Sequence, residues 1–191
     1  MIIATKPKTE LTLEDFLTLK ETKHASELID GEIYQKPMPQ CQHSLIQGRL
    51  CETINLLVRE NKIACAFPEL RCTFDDKSIV PDIAVIRWGR IPLDEKGRIV
   101  NRFETYPDWA IEILSPEQSL TQVLAKLLHC SRQGTELSWL INPDEEAIFV
   151  VFPEQKIELY QEENILPVLE GIEGLKLTAE IIFSWLKFNG N

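Results

Sequence analysis

Two hydrophobic rhythms run along this chain. From His43 to about Asn61 apolar side chains recur at Ile46, Leu50, Ile54, Leu57 and Val58. These three- and four-residue steps lay one apolar stripe along a long helix, with His43 near its first turn. After it the rhythm shortens. Runs at Ile63–Phe67 and Leu70–Phe74 predict short strands, and an apolar run from Ile79 to Ile86 comes next with Pro81 and Asp82 embedded in it. Because proline cannot donate to a sheet ladder, Pro81 belongs at a strand start or an edge. Trp109 to Leu114 is a further apolar run carrying one charge, Glu112, and Leu137–Ile141, Ala147–Phe152 and Ile157–Tyr160 predict three more strands.

Caps and turns divide these runs. Thr12, followed by Glu14, Asp15 and apolar residues to Leu19, predicts a capped short helix with acids in its first turn. Asp30-Gly31 between two short apolar runs predicts a two-residue hairpin turn flanked by Glu27 and Glu32. Ser115, Pro116 and Gln118 form a helix-start signature, so a helix is expected from there to about Gln133, stopping at Gly134. Arg90 to Thr105 reads as a charged surface loop, and Thr178–Phe188 as a closing helix with Ile181, Ile182, Trp185 and Leu186 on its apolar side. The order of helix, hairpin, helix, strands, helix, strands, helix predicts a mixed α/β or α+β fold.

Composition narrows this to one domain over residues 1–191, with 44% apolar residues, no linker-like stretch and no internal repeat. The opening MIIATKPKTE has no long apolar run, and no other stretch approaches the roughly 20 apolar residues that span a bilayer. A soluble, cytoplasmic protein without membrane contact is expected. Five cysteines without a Cys-x-x-Cys pair predict reduced, mostly buried thiols. Trp88, Trp109, Trp139 and Trp185 lie in apolar runs and predict core packing, and His24 and His129 read as structural. A net charge of −10 is the wrong sign for broad phosphate neutralisation, so a nucleic-acid partner would need a local basic cleft or a divalent metal. Arg87, Arg90, Lys96, Arg98 and Arg102 do gather locally; on the rim of a carboxylate cleft they would serve DNA binding.

The chemistry concentrates on Asp82 and Glu112, two acids set in apolar strand-like runs. A buried carboxylate without a partner is expensive, so each must be paired, protonated, metal-bound or at a strand end. On neighbouring strands their side chains would stand roughly 5 Å apart and could grip one hard cation, for which Mg2+ or Mn2+ is suited. Ser119, Gln122, Lys126 and Cys130 fall along one stripe of the third helix, from which Lys126 could reach the end of the Glu112 strand; a solvated helix lysine is the plain alternative. No nucleophile elbow, phosphate-cradling glycine loop, dinucleotide fingerprint or His-x-x-x-His pair is present.

Pro81-Asp82 followed some thirty residues later by Glu112 resembles the PD-(D/E)xK phosphodiesterase pattern. Glu27-Leu-Ile-Asp-Gly-Glu-Ile33, His43, Pro81-Asp-Ile-Ala-Val85, Ile111-Glu-Ile-Leu-Ser-Pro116, Lys126 and Trp139-Leu-Ile-Asn-Pro143 together resemble the "putative restriction endonuclease" family of small bacterial proteins. That resemblance implies a restriction-endonuclease-like core, a central mixed β-sheet flanked by helices. It also implies a metal-dependent endonuclease acting on DNA, with Asp82 and Glu112 holding the metal. Leu114 stands where the pattern has lysine. The resemblance assigns that role to Lys126, to help position the attacking water, and places Glu27 and His43 near the site; otherwise Glu27 is a hairpin surface charge and His43 a helix-start residue. The rival reading keeps the fold without catalysis, as a nucleic-acid or protein-binding homodimer, and dimerisation alone would fit either.

Overall fold

The computed structural model describes residues 11–188 except Glu117. The MIIATKPKTE opening and the glutamate of the Ser115–Gln118 signature lie outside the described residues. Thr12 caps α1 (Leu13–Thr18) by accepting the Asp15 N–H at 3.1 Å. Asp30 and Gly31 both take positive φ, which the primed two-residue turn requires, between β1 (Ser26–Ile29) and β2 (Glu32–Gln35). Helix α2 (Cys41–Val58) buries His43 and, of the stripe read from the sequence, Ile46, Leu50, Ile54 and Val58, with Leu57 half-buried.

The run from Ile79 to Ile86 is two strands in two different sheets. β4 (Cys72–Phe74) and β5 (Lys77–Ile79) join the hairpin in an antiparallel sheet of order β2-β1-β5-β4. Val80, Pro81 and Asp82 then cross to the main sheet, where β6 (Ile83–Arg87) begins just after the proline that could not have donated to a ladder. The main sheet has order β10-β9-β8-β7-β6-β3, formed with β3 (Ala64–Pro68), β7 (Trp109–Ile113), β8 (Leu137–Asn142), β9 (Ala147–Val151) and β10 (Ile157–Tyr160). Among the described strands of this sheet only β7 and β8 pair in parallel, and α3 (Leu120–Arg132) makes the crossover a parallel pair needs. The expected mixed α+β fold with helices flanking a mixed sheet is therefore present.

Two of the later helices differ from the sequence reading. Helix α3 starts at Leu120, with Ser119 at its cap, because Ser115 and Gln118 close a separate turn: the Gln118 side chain accepts the Ser115 N–H at 3.0 Å and the Ser115 carbonyl accepts the Gln118 N–H at 2.9 Å. The stop at Gly134 holds, with φ at +110°. Helix α4 (Ala179–Ser184) is shorter than Thr178–Phe188, and it buries Ile182 and Phe183 while Ile181 faces out. Trp109 and Trp139 meet edge to face in the core at 4.6 Å, but Trp88 is 39% exposed. Among the cysteines, Cys72 and Cys130 are buried, Cys51 and Cys65 half-buried and Cys41 exposed, all as free thiols. No helix among the described residues is long and apolar enough to cross a membrane.

The open edge at β3 is covered by a side chain. Asn55 of α2 donates to the Ala66 carbonyl at 2.8 Å and accepts the Ala66 N–H at 2.9 Å, as a further strand would. Asn55→Ala should lower the free energy of unfolding by about 1–3 kcal/mol, the cost of stranding such groups, read by urea denaturation. An unchanged midpoint would mean that water replaces the amide fully.

Candidate active site

Strands β6 and β7 have two unlike faces. Ile83, Val85, Trp109, Ile111 and Ile113 pack against the core beneath α2, while Ala84 and Ala110 point the other way, towards α3 and the smaller sheet. Asp82 and Glu112 share the parity of the alanines. Ile83 pairs with Ile111, so one step further along the antiparallel register Asp82 stands opposite Glu112. The ladder ends there because the Asp82 side chain takes over: its Oδ2 accepts the Ile113 N–H at 2.7 Å. Each of these two acids is 1% exposed.

Opposite charge reaches them from two elements. Lys126 of α3 is buried, with Nζ 2.8 Å from Glu112 Oε1 and 2.9 and 3.0 Å from the two oxygens of Glu27. Glu27, in β1 of the smaller sheet, also accepts the Val80 N–H at 2.7 Å. Neither residue is the solvated charge of the plain alternative. Each sits where three layers meet, and Lys126 hydrogen-bonds both oxygens of Glu27 while standing at ion-pair distance from Glu112. His43, at the start of α2, is buried with Nε2 3.0 Å from Asp82 Oδ2; its Nδ1 has no partner among the described residues. The five residues singled out in the sequence therefore form one connected cluster.

Sequence reasoning missed Lys36. It comes directly after the fully exposed strand β2 in Gln35-Lys36-Pro37-Met38-Pro39, where nothing in the pattern distinguishes it from a surface lysine. Its ammonium lies against Asp82 Oδ1, 2.8 Å from the Val80 carbonyl and 3.7 Å from Glu112 Oε2. His24, read as structural, lines both cavities beside this lysine.

The charges divide the two acids. Burial works against the Asp82 anion, but Lys36 and then His43 outweigh it and hold this carboxyl well below the usual carboxylate range. For Glu112 burial prevails over Lys126 and Lys36, and its carboxyl is pushed up to about 7. Burial would lower both lysines, yet the facing carboxylates raise Lys36 and Lys126 above the ordinary lysine value.

A hard cation fits this donor set. Asp82 Oδ1, Glu112 Oε2 and the Val80 carbonyl oxygen converge on one point, held here by an ammonium, and all are hard oxygen donors. Among the described residues no three His, Cys, Asp or Glu side chains gather to hold a metal alone. The five basic residues that gather in the sequence do not rim the site. Arg87, Arg90 and Arg98 pair with Glu136, Asp108 and Asp94, and none of the five lines either cavity beside Asp82 and Glu27.

Over residues 13–180 the chain matches the family model described as "Uma2: Putative restriction endonuclease". Among solved structures it is similar to a protein from Anabaena variabilis ATCC 29413 described as "a putative nuclease belonging to DUF820". The two are 50% identical with a TM-score of 0.91, over 93% of this chain and 99% of that one. No curated protein matches.

Proposed function

Since the chain belongs to the "putative restriction endonuclease" family, we propose that it is a metal-dependent endonuclease hydrolysing DNA phosphodiester bonds. The observation that carries this reading is the pair of buried carboxylates, Asp82 just before β6 and Glu112 in β7, opposed with the Lys36 ammonium between them. Asp82 and Glu112 would hold Mg2+ or Mn2+, which when bound polarises the phosphodiester and lowers the pKa of a water. The protein's own residues set the geometry. Lys126, hydrogen-bonded to Glu27, sets a positive charge 2.8 Å from Glu112 Oε1. Glu27 ties that lysine to the Val80 segment that delivers Asp82. His43 orients Asp82 through Nε2, and its Nδ1 is buried without a partner among the described residues. The net charge of −10 implies weak DNA affinity, with the contact confined to this cleft.

The rival is a catalytically silent, cytoplasmic homodimer that binds nucleic acid or protein. It draws on the ion pairing of the arginines away from the site and on the neutralisation of the acids by Lys36 and Lys126. Calorimetric titration with Mn2+, together with a supercoiled-plasmid nicking assay, separates the two. Wild type should bind and nick, and Glu112→Gln should do neither while remaining folded. A wild type that binds no metal and leaves plasmid intact sinks the nuclease reading.

A further inference from the structure

Lys36 occupies the place a metal would take. Its ammonium meets the Asp82 carboxylate, the Val80 carbonyl and the Glu112 carboxylate, the oxygens that converge on the cation position. We propose that Lys36 is a tethered competitor for this position: it fills the site when metal is absent and must swing out for a divalent cation to bind. This rests on the metal-site reading of Asp82 and Glu112.

Charge, tether and space support the exchange. With Glu112 ionised, as holding a cation requires, the carboxylates of Glu27, Asp82 and Glu112 outnumber the ammoniums of Lys36 and Lys126 by one charge, His43 set aside. A divalent ion in place of Lys36 brings the same cluster to neutrality, so metal is favoured over ammonium once it is abundant. The Lys36 backbone is anchored, its N–H donating to the Ala25 carbonyl at 2.9 Å, and prolines at 37 and 39 stiffen the backbone immediately after it. Movement therefore falls to the flexible four-carbon side chain. It has room on both sides. Cavities of about 260 and 600 Å³ flank Lys36, one reaching Asp82 and His43 and the other Glu27 and Lys126. Lys126 has no such freedom, because it is fixed on a helix between two carboxylates.

Two measurements test this, one of them on the unmodified protein. In calorimetry with MnCl2, Lys36→Met should bind about ten- to a hundred-fold more tightly than wild type, the range that one ammonium's charge-assisted contacts span, and Lys36→Arg should gain nothing. In wild type, acylation by an N-hydroxysuccinimide ester, mapped by mass spectrometry, should spare Lys36 without metal and modify it when Mn2+ is saturating, with Lys126 protected throughout. Equal affinity of wild type and Lys36→Met, or labelling of Lys36 that metal does not change, overturns the exchange and leaves the metal site standing. Loss of nicking in Lys36→Met at unchanged metal affinity would make Lys36 a catalytic group and also overturn it. Failure of both proteins to bind Mn2+ removes the metal reading, and this inference with it.

Discussion

Asp82→Asn should lower plasmid nicking about 10²–10³-fold, the range that loss of one preorganised electrostatic group produces, while leaving the protein folded. Asp82 serves the molecule through two different oxygens. Oδ2 accepts the Ile113 N–H and faces His43, closing the sheet where the β6–β7 ladder ends, whereas Oδ1 faces the cation position. Asparagine keeps one carbonyl oxygen for the Ile113 N–H and removes the charge, so it separates these roles. Asp82→Ala removes both, and stranding the buried amide should cost about 1–3 kcal/mol more. Acid should erase part of the same stabilisation in wild type. The Asp82 carboxyl is held below its ordinary value of 3.8, so its ionic contacts contribute fully above that pH and are lost as the pH falls below it. The asparagine variant should lack that limb of the pH–stability curve. Nicking at the wild-type rate by Asp82→Asn would show that this carboxylate does not anchor the metal.

Much of the cluster was legible because its members break local patterns. An acid inside an apolar run demands an explanation, which is how Asp82 and Glu112 stand out, and Pro81 marks the strand start beside one of them. What the pattern could not supply was the sheet each piece joins. Ile79 and Ile83 lie in one continuous apolar run, yet they belong to different sheets, and the turn between them is what swings Asp82 across to Glu112. Such a division depends on partner strands, which hydrophobicity along the chain does not encode.

Lys36 was invisible for a related reason. A lysine after a strand whose residues are all exposed has every local attribute of a surface charge, and its burial arises only when the hairpin lies over the end of the main sheet. The same holds for the stretch from Ile165 to Leu177, which has little regular structure but buries Leu166, Leu169, Ile172, Leu175 and Leu177 against the α2 side of the core. Its apolar residues keep neither a period of two nor one of 3.6, so no element is predicted there. The helix start at Ser115 failed differently. Its serine and glutamine do bond to each other, but they close a turn of their own, and α3 begins afresh behind Ser119.

Lys126→Met should lower the free energy of unfolding by about 3–5 kcal/mol, because it leaves buried carboxylates without the ammonium that joins them. Glu27 would retain only the Val80 N–H, and Glu112 would face Lys36 across 3.7 Å. The deficit should shrink as the pH falls, since the variant can shed the penalty by protonating those acids, and unfolding in urea at neutral and acidic pH reads both effects. A double variant, Glu27→Gln with Lys126→Met, should recover part of the loss, because neutral partners in a buried ion cluster cost less than a cluster with one member missing. If instead the two changes simply add, Glu27 and Lys126 are not coupled and the 2.9 Å contact between them contributes nothing. Coupling of the expected sign would tie β1, α3 and β7 into one unit through this lysine.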